Sequence, residues 1–217
     1  MKNISKSEFI RLVKFNNSLG ISNDIIIENQ ASSFIKNIEL DLRHSFAIIT
    51  GTGLNGAIGL AITRHLIALS KDVSLFIIKT NDNLSKEFTN QLEIIKNLGI
   101  KINELETLEE LSSFPEYIKN YNTIIDAILG VEYDNEHIDG VEYVIDSINK
   151  SRRFIMSVDI PSGLDYEEKN QRIVPVYPDI VITYHAMKET LNMKSGIYST
   201  KVIVENIGLL ERENVRY

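Results

Sequence analysis

A three-layer α/β fold, with a mostly parallel sheet covered by helices on both faces, follows from three features of the chain. From residue 46 to residue 204, short apolar runs alternate with stretches of helical period. One of these runs, residues 46–50, passes directly through a cluster of glycines into a helical pattern, which is the strand–turn–helix unit of parallel sheets. The chain has 217 residues, of which 43% are hydrophobic and 24% charged, enough for one domain with a core that needs no staples. Its 23 basic and 30 acidic residues give a net charge of −7, and no basic cluster stands out. That counts against a nucleic-acid surface, which needs concentrated positive charge. The absence of cysteine excludes disulfides, thiolate metal sites and cysteine nucleophiles. No apolar run approaches the roughly 18 residues of a membrane span, and the first residues are polar, so a cytoplasmic protein is expected.

In chain order, Ser5 and Glu8 have capping-box spacing, and Phe9, Leu12 and Val13 give the following helix a buried face that ends at Gly20. A second helix starts near Ser22 or Asp24. Its stripe of Ile27, Ala31, Phe34, Ile35 and Ile38 suits the core or a homodimer face equally well, and Glu28 and Asn29 lie on its flank. These two helices stand as an addition in front of the α/β core. After the strand at 46–50 come Gly51, Gly53, Gly56 and Gly59, the first three spelling a dinucleotide-type fingerprint. Such a loop lets bare backbone approach a phosphate at a helix N-terminus; its plain alternative is a tight turn with close strand–helix packing. The next strand, 72–79, ends in Lys79 with Asp82 further on. An ordinary nicotinamide dehydrogenase wants an acid at that strand end, so this reading is disfavoured.

A helix over 84–98 carries Phe88, Leu92 and Ile95 and stops at Gly99; a short strand at 100–102 and an acidic helix over 107–120 follow. The strand at 123–129 contains Asp126 in an otherwise apolar run. A carboxylate there must be paired, hydrogen-bonded, cation-bound or protonated, because uncompensated burial costs several kcal/mol. A polar loop over 130–140 leads to a helix with Val141, Val144, Ile145 and Ile148. The strand at 154–158 then runs into a turn forced by Pro161 and Gly163, leaving Asp159 at the strand's C-terminal edge and Ser162 in the loop. A short strand at 173–176 and strands at 179–184 and 201–204 complete the pattern. Ligands of open parallel sheets bind beyond the carboxyl ends of the strands, so the glycine loop, Asp126 and Asp159 converge on one edge. His44, His65, His137 and His185 lack the spacing of a zinc helix. His65 reads as structural, whereas His185 and Lys188 lie just past a strand end as neighbours of the site. No G-x-S-x-G elbow is present, so Ser162 is a turn residue or ion ligand and not a nucleophile.

Taken together, these segments resemble the NAD(P)H-hydrate epimerase family of the YjeF N-terminal-domain type. Ile27-Glu28-Asn29 is similar to its Met-Glu-Asn motif, and GTGLNGAIGLAITRHL, from Gly51, to its glycine loop and following helix. IIDAILG around Asp126 is similar to its strand-end motif, SVDIPSGLD around Asp159 to its most characteristic signature, and PDIVITYHAMK to a later strand that ends near a lysine, here Lys188. The resemblance keeps the family's order over nearly the whole chain, and implies a Rossmann-like αβα domain over residues 1–217 with two N-terminal helices. It further implies epimerisation of the C6 hydrate of NADH or NADPH, a damaged cofactor form that a separate dehydratase then repairs. Asp159 would be the catalytic acid/base in contact with substrate, and a potassium ion would be held by Asn55, Asp126 and Ser162, whose oxygens suit a hard cation. Substrate contacts would come from Leu54, Asn55, Gly56, Ala57 and Ile58, and from Gly130, Val131, Glu132, Tyr133, Asp134, Asn135 and Glu136. Three positions depart from the family's pattern: Leu54 replaces an asparagine, Ala57 a glycine and Ile58 an aspartate. The potassium ligands are kept while polar substrate contacts are lost. The alternative is therefore a diverged, non-catalytic module of the same fold that binds nucleotide or RNA or serves assembly, with the acidic charge arguing against RNA.

Overall fold

The computed structural model describes residues 3–80, 84–133, 138–166, 172–191 and 200–214. A two-residue strand, β1 (Asn3–Ile4), precedes α1 (Lys6–Ser18) and α2 (Asn23–Lys36). Ser5 and Glu8 form the expected capping box, and Ser22 caps α2. The main sheet takes β2 (Ser45–Thr50), β3 (Asp72–Ile77), β4 (Ile102–Glu104), β5 (Thr123–Ala127), β6 (Phe154–Val158), β7 (Ile180–Tyr184) and β9 (Lys201–Glu205). Their spatial order is β4-β3-β2-β5-β6-β7-β9, every pair parallel. The central strands β2 and β5 are buried along their whole length, whereas the edge strands β4 and β9 are not. Continuous apolar runs mark the middle of a covered parallel sheet for this reason.

The remaining helices are α3 (Leu54–Ala68), α4 (Lys86–Asn97), α5 (Leu108–Ile118) and α6 (Val141–Lys150). Alternation along the strands sorts them into two layers. Phe46, Ile48 and Ile125 face α1 to α4 through Phe9, Phe34, Leu60 and Phe88, while Ala47, Ile49 and Ile124 face α5 and α6 through Phe114, Val144 and Ile148. No helix among the described residues is long and apolar enough to cross a membrane. Ile27, Ala31 and Phe34 are buried within the chain, in the same cluster as Leu60 and Ala61 of α3.

Four local readings need correction. The glycine segment is not a loop as far as residue 59: α3 begins at Leu54 with Gly53 as its cap, so Gly56 and Gly59 lie in its first two turns. They let the helix press onto the sheet. A Cβ on Gly56 would sit 2.0 Å from the Gly51 carbonyl oxygen, and one on Gly59 2.6 Å from Thr50 Cγ2 and 2.7 Å from Ala127 Cβ. The fourth strand begins two residues later than expected, because Ile100 closes α4. Its N–H reaches the Ile95 carbonyl, and that of Gly99 (φ +68°) the Lys96 carbonyl, in a Schellman motif. Residues 173–176 form no strand; Val176 N–H bonds the Ser162 carbonyl and Ile173 packs on Gly163. A small second sheet was not foreseen: β1 pairs in parallel with β8 (Met187–Lys188), Ile4 opposite Lys188.

Gly59→Ala tests the close seating of α3. Alanine gains about 1 kcal/mol over glycine in helix propensity, but over-packing of this kind costs about 1–3 kcal/mol and sometimes more. The contacts at 2.6 and 2.7 Å involve two packed methyl groups on the sheet, so the clash dominates. Urea unfolding is expected to show a net loss of about 1–2 kcal/mol. A midpoint equal to or above wild type would mean that the helix does not lie this close.

Candidate functional site

From β2 the chain winds outward to β3 and β4, and from β5 it winds the other way to β6, β7 and β9. The order reverses between β2 and β5, so their carboxyl ends open a crevice. A cavity of about 180 Å³ lies there. Its floor is the start of α3 and the ends of β5 and β6; its roof is α1 and α2, through Phe9, Val13, Ile26, Ile27 and Gln30. The two N-terminal helices are therefore part of the site's wall and not an addition in front of the core. Read from the sequence, their apolar stripe is indistinguishable from ordinary core, which is why these wall residues were missed.

Asp126 is fully buried on β5. One carboxylate oxygen accepts the Ser157 hydroxyl at 2.7 Å and the Ser162 N–H at 2.9 Å; the other accepts the Ser162 hydroxyl and, at 3.4 Å, the Ile128 N–H. Burial pushes its pKa above the usual carboxylate range, although these hydrogen bonds oppose the rise. No cationic side chain among the described residues pairs with it. The Ser162 Oγ also accepts the Leu129 N–H at 2.9 Å. Asn55, nearly buried in the first turn of α3, donates its amide to the carbonyls of Leu129 (2.9 Å) and Val158 (3.2 Å). Gly130 allows this approach, since a Cβ there would lie 2.9 Å from Asn55 Cβ. The fold thus gathers Asn55, Asp126 and Ser162 around the Leu129 peptide. Among the described residues no three His, Cys, Asp or Glu side chains come together as metal ligands. What this cluster offers is oxygen, the donor type for a hard cation, around a buried acid with no counter-charge among the described residues.

Asp159 follows β6 with φ of +63°, a left-handed conformation that aspartate tolerates better than most residues. It is 4% exposed and lines the cavity. Its N–H bonds the Ile182 carbonyl at 2.8 Å. Its Oδ1 accepts the Thr183 hydroxyl at 2.9 Å, the Tyr184 N–H at 3.3 Å and the Lys188 ammonium at 2.7 Å. Oδ2 takes no hydrogen bond among the described residues. Lys188 is completely buried, and burial lowers its pKa against the opposing pull of Asp159.

Leu54, Asn55 and Ile58 line the cavity, as do Gly130, Val131, Glu132 and Tyr133. Gly56 and Ala57 do not. Gly56 abuts Gly51, and the fully buried Ala57 gives its N–H to the Gly53 carbonyl at 3.1 Å, so that amide is not offered to a ligand. Asp134, Asn135 and Glu136 lie outside the described residues. At the rim, the Glu132 carboxylate faces the Leu54 N–H at the start of α3, where Gly53 brings no capping side chain. Partial burial raises its pKa, which the Leu54 amide and Lys6 oppose. The helix N-terminus is therefore already served by an acid of the chain. Away from the cavity, Glu28 binds Arg64 and His65 across α2 and α3, and Asn29 donates to the Ile207 carbonyl at 3.0 Å. His65 is thereby structural, and His185 pairs with Glu211 at 3.1 Å.

The model of the family described as "YjeF-related protein N-terminus" matches residues 23–190. A protein of Anaerococcus prevotii named NAD(P)H-hydrate epimerase is 38% identical over 188 residues, 86% of this chain and 85% of that protein. One of the same name from Leuconostoc gelidum subsp. gasicomitatum is 30% identical over 97% of this chain and 92% of its own length. Among solved structures, yeast YNL200c superimposes with a TM-score of 0.77 over 99% of this chain and 92% of that chain, at 16% identity, which shows the shared fold. A family match that takes in the roof helix α2, the glycine-seated α3, Asp126, Asp159 and Lys188 places all these elements in one inherited unit: the chain belongs to the YjeF-related N-terminal family.

Proposed function

We propose that the cavity binds the C6 hydrate of NADH or NADPH and interconverts its two epimers. The observation that carries this reading is Asp159: an almost buried residue on the wall of a cavity at the sheet's switch point, with Oδ1 anchored and Oδ2 taking no hydrogen bond among the described residues. The relatives named NAD(P)H-hydrate epimerase, similar along most of their length, support the choice of substrate.

In the hydrate, a hydroxyl stands on a ring carbon beside the ring nitrogen. With a proton on Oδ2, the oxygen that Lys188 does not hold, the Asp159 carboxyl group protonates the departing hydroxyl, which leaves as water while the nitrogen lone pair closes an iminium. Water re-enters from either face and returns its proton to Asp159, so the proton count balances over the cycle. The walls formed by Leu54, Ile58 and Val131 keep bulk water from the cationic ring. Asn55, Asp126 and Ser162 would hold potassium, with Asn55 turning its amide to present oxygen. The ion would supply fixed positive charge at the sheet edge and compensate the buried Asp126.

Asp159→Asn keeps the shape but cannot carry the proton. Its epimerisation rate on purified hydrate, followed by separation of the two epimers, is expected to fall at least about 100-fold. Wild-type turnover in this variant would remove Asp159 from the chemistry.

Potassium is tested through stability. Because the folded chain raises the Asp126 pKa, its contribution is whole below the unfolded value and is lost as pH rises through the raised folded value. A bound cation favours the carboxylate and restores that loss. Replacing tetramethylammonium by potassium at equal ionic strength is therefore expected to stabilise the protein increasingly as pH rises above the carboxylate range. The gain reaches about 2.7 kcal/mol once the ion is at a hundred times its dissociation constant. Asp126→Asn should abolish the difference. Equal denaturation midpoints in the two salts at every pH would eliminate the ion.

A further inference from the structure

We propose that Lys188 is the positioning residue of this site: its ammonium grips one oxygen of Asp159 so that the other is presented to the ligand. This rests on the reading of the cavity given above, and it adds a residue that does not line the cavity.

The ammonium is fully buried. It donates to the Tyr184 carbonyl at 2.8 Å and to Asp159 Oδ1 at 2.7 Å, and it lies 4.4 Å from the centre of the Phe9 ring. Lys188 itself stands in β8, paired with β1 at Ile4, whose carbonyl accepts the Tyr166 hydroxyl at 3.1 Å. The N-terminal segment therefore closes over the ion pair, and the same Phe9 lines the cavity next to Asp159.

Stability does not account for this arrangement. A buried ion pair contributes little compared with apolar side chains of the same volume, and a buried lysine is rare unless paired. The pair instead acts on geometry. Asp159 sits in a left-handed backbone conformation, and strained residues persist where the surroundings over-determine them. Here Thr183, Tyr184 and Lys188 all converge on Oδ1, and only Lys188 brings a full charge. A charge-assisted bond is shorter and stronger than a neutral one, so the ammonium decides which carboxylate oxygen is held and which is left to the cavity.

The chain has no cysteine, which permits a clean test. Lys188→Cys is unfolded, alkylated with 2-bromoethylamine to rebuild an ammonium of lysine length, and refolded. Parallel samples receive iodopropane, giving an apolar chain of equal length, or 2-iodoethanol, giving a neutral hydroxyl. The hydroxyethyl form serves where the propyl form does not refold, since it leaves fewer buried partners bare. The aminoethyl form is expected to recover epimerisation to within about threefold of wild type, and the neutral forms to lose about 100-fold in kcat with KM within about threefold. Full kcat in a neutral form, or a loss borne by KM, overturns the proposal, because filling the space would then be enough. If the wild-type protein does not accelerate epimerisation, the functional reading falls instead. Crystal structures of the aminoethyl and neutral forms then decide the role of Lys188: an Asp159 carboxylate in the same place in both overturns it, and one that leaves the cavity wall only in the neutral form upholds it.

Discussion

A fully buried carboxylate, with no cationic side chain against it among the described residues, lies at the centre of the sheet's carboxyl edge. Asp126 is tolerable there only because four donors meet it: two from Ser162, one from Ser157 on the next strand and one from the Ile128 amide. The turn after β6 is thereby tied to the end of β5, and that turn also carries Asp159 to the cavity wall. Asn55 joins the same stretch after β5 through the Leu129 carbonyl. One buried acid thus sets the relative positions of three segments that the chain supplies far apart.

The second constraint is steric. Gly51, Gly56, Gly59 and Gly130 each stand where a Cβ would fall inside another atom, so α3 and the β5 exit lie closer than side chains normally permit. This closeness brings Asn55 to the carbonyls it binds. Ala57 is accommodated in the core cluster, where its methyl packs at no exposure. Leu54 and Ile58 differ in kind, because they line the cavity and make its wall apolar where the family's pattern has polar groups. The site that results combines two acids, Asp159 and Glu132, with a largely apolar enclosure. Such an enclosure suits chemistry that develops positive charge away from bulk water.

Strands, helix caps and the convergence of Asp126 and Asp159 on one edge were legible in the sequence because they rest on local rules. Apolar runs between breakers make covered strands, Ser5 and Thr107 stand three residues before a glutamate, and the Pro161–Gly163 turn can only follow a strand's end. The glycine segment was misjudged because glycine marks equally a loop and a helix pressed onto a sheet. The distinction depends on what the missing Cβ would meet. The roof of the cavity was likewise hidden, since Phe9, Ile26 and Ile27 have the same periodicity whether they face a core or a ligand.

By itself the sequence determined the class of fold, the order of its elements and the acids that burial would make conspicuous, since hydrophobic period, capping and turn chemistry act over a few residues. Only the tertiary structure decided the partners. Asn55 with the Leu129 and Val158 carbonyls, Ser162 with Asp126, and Lys188 with Asp159 under the N-terminal segment are contacts between segments separated by 29 to 184 positions. No local pattern specifies them; the parallel crossovers and the close seating of one helix bring them within hydrogen-bonding distance.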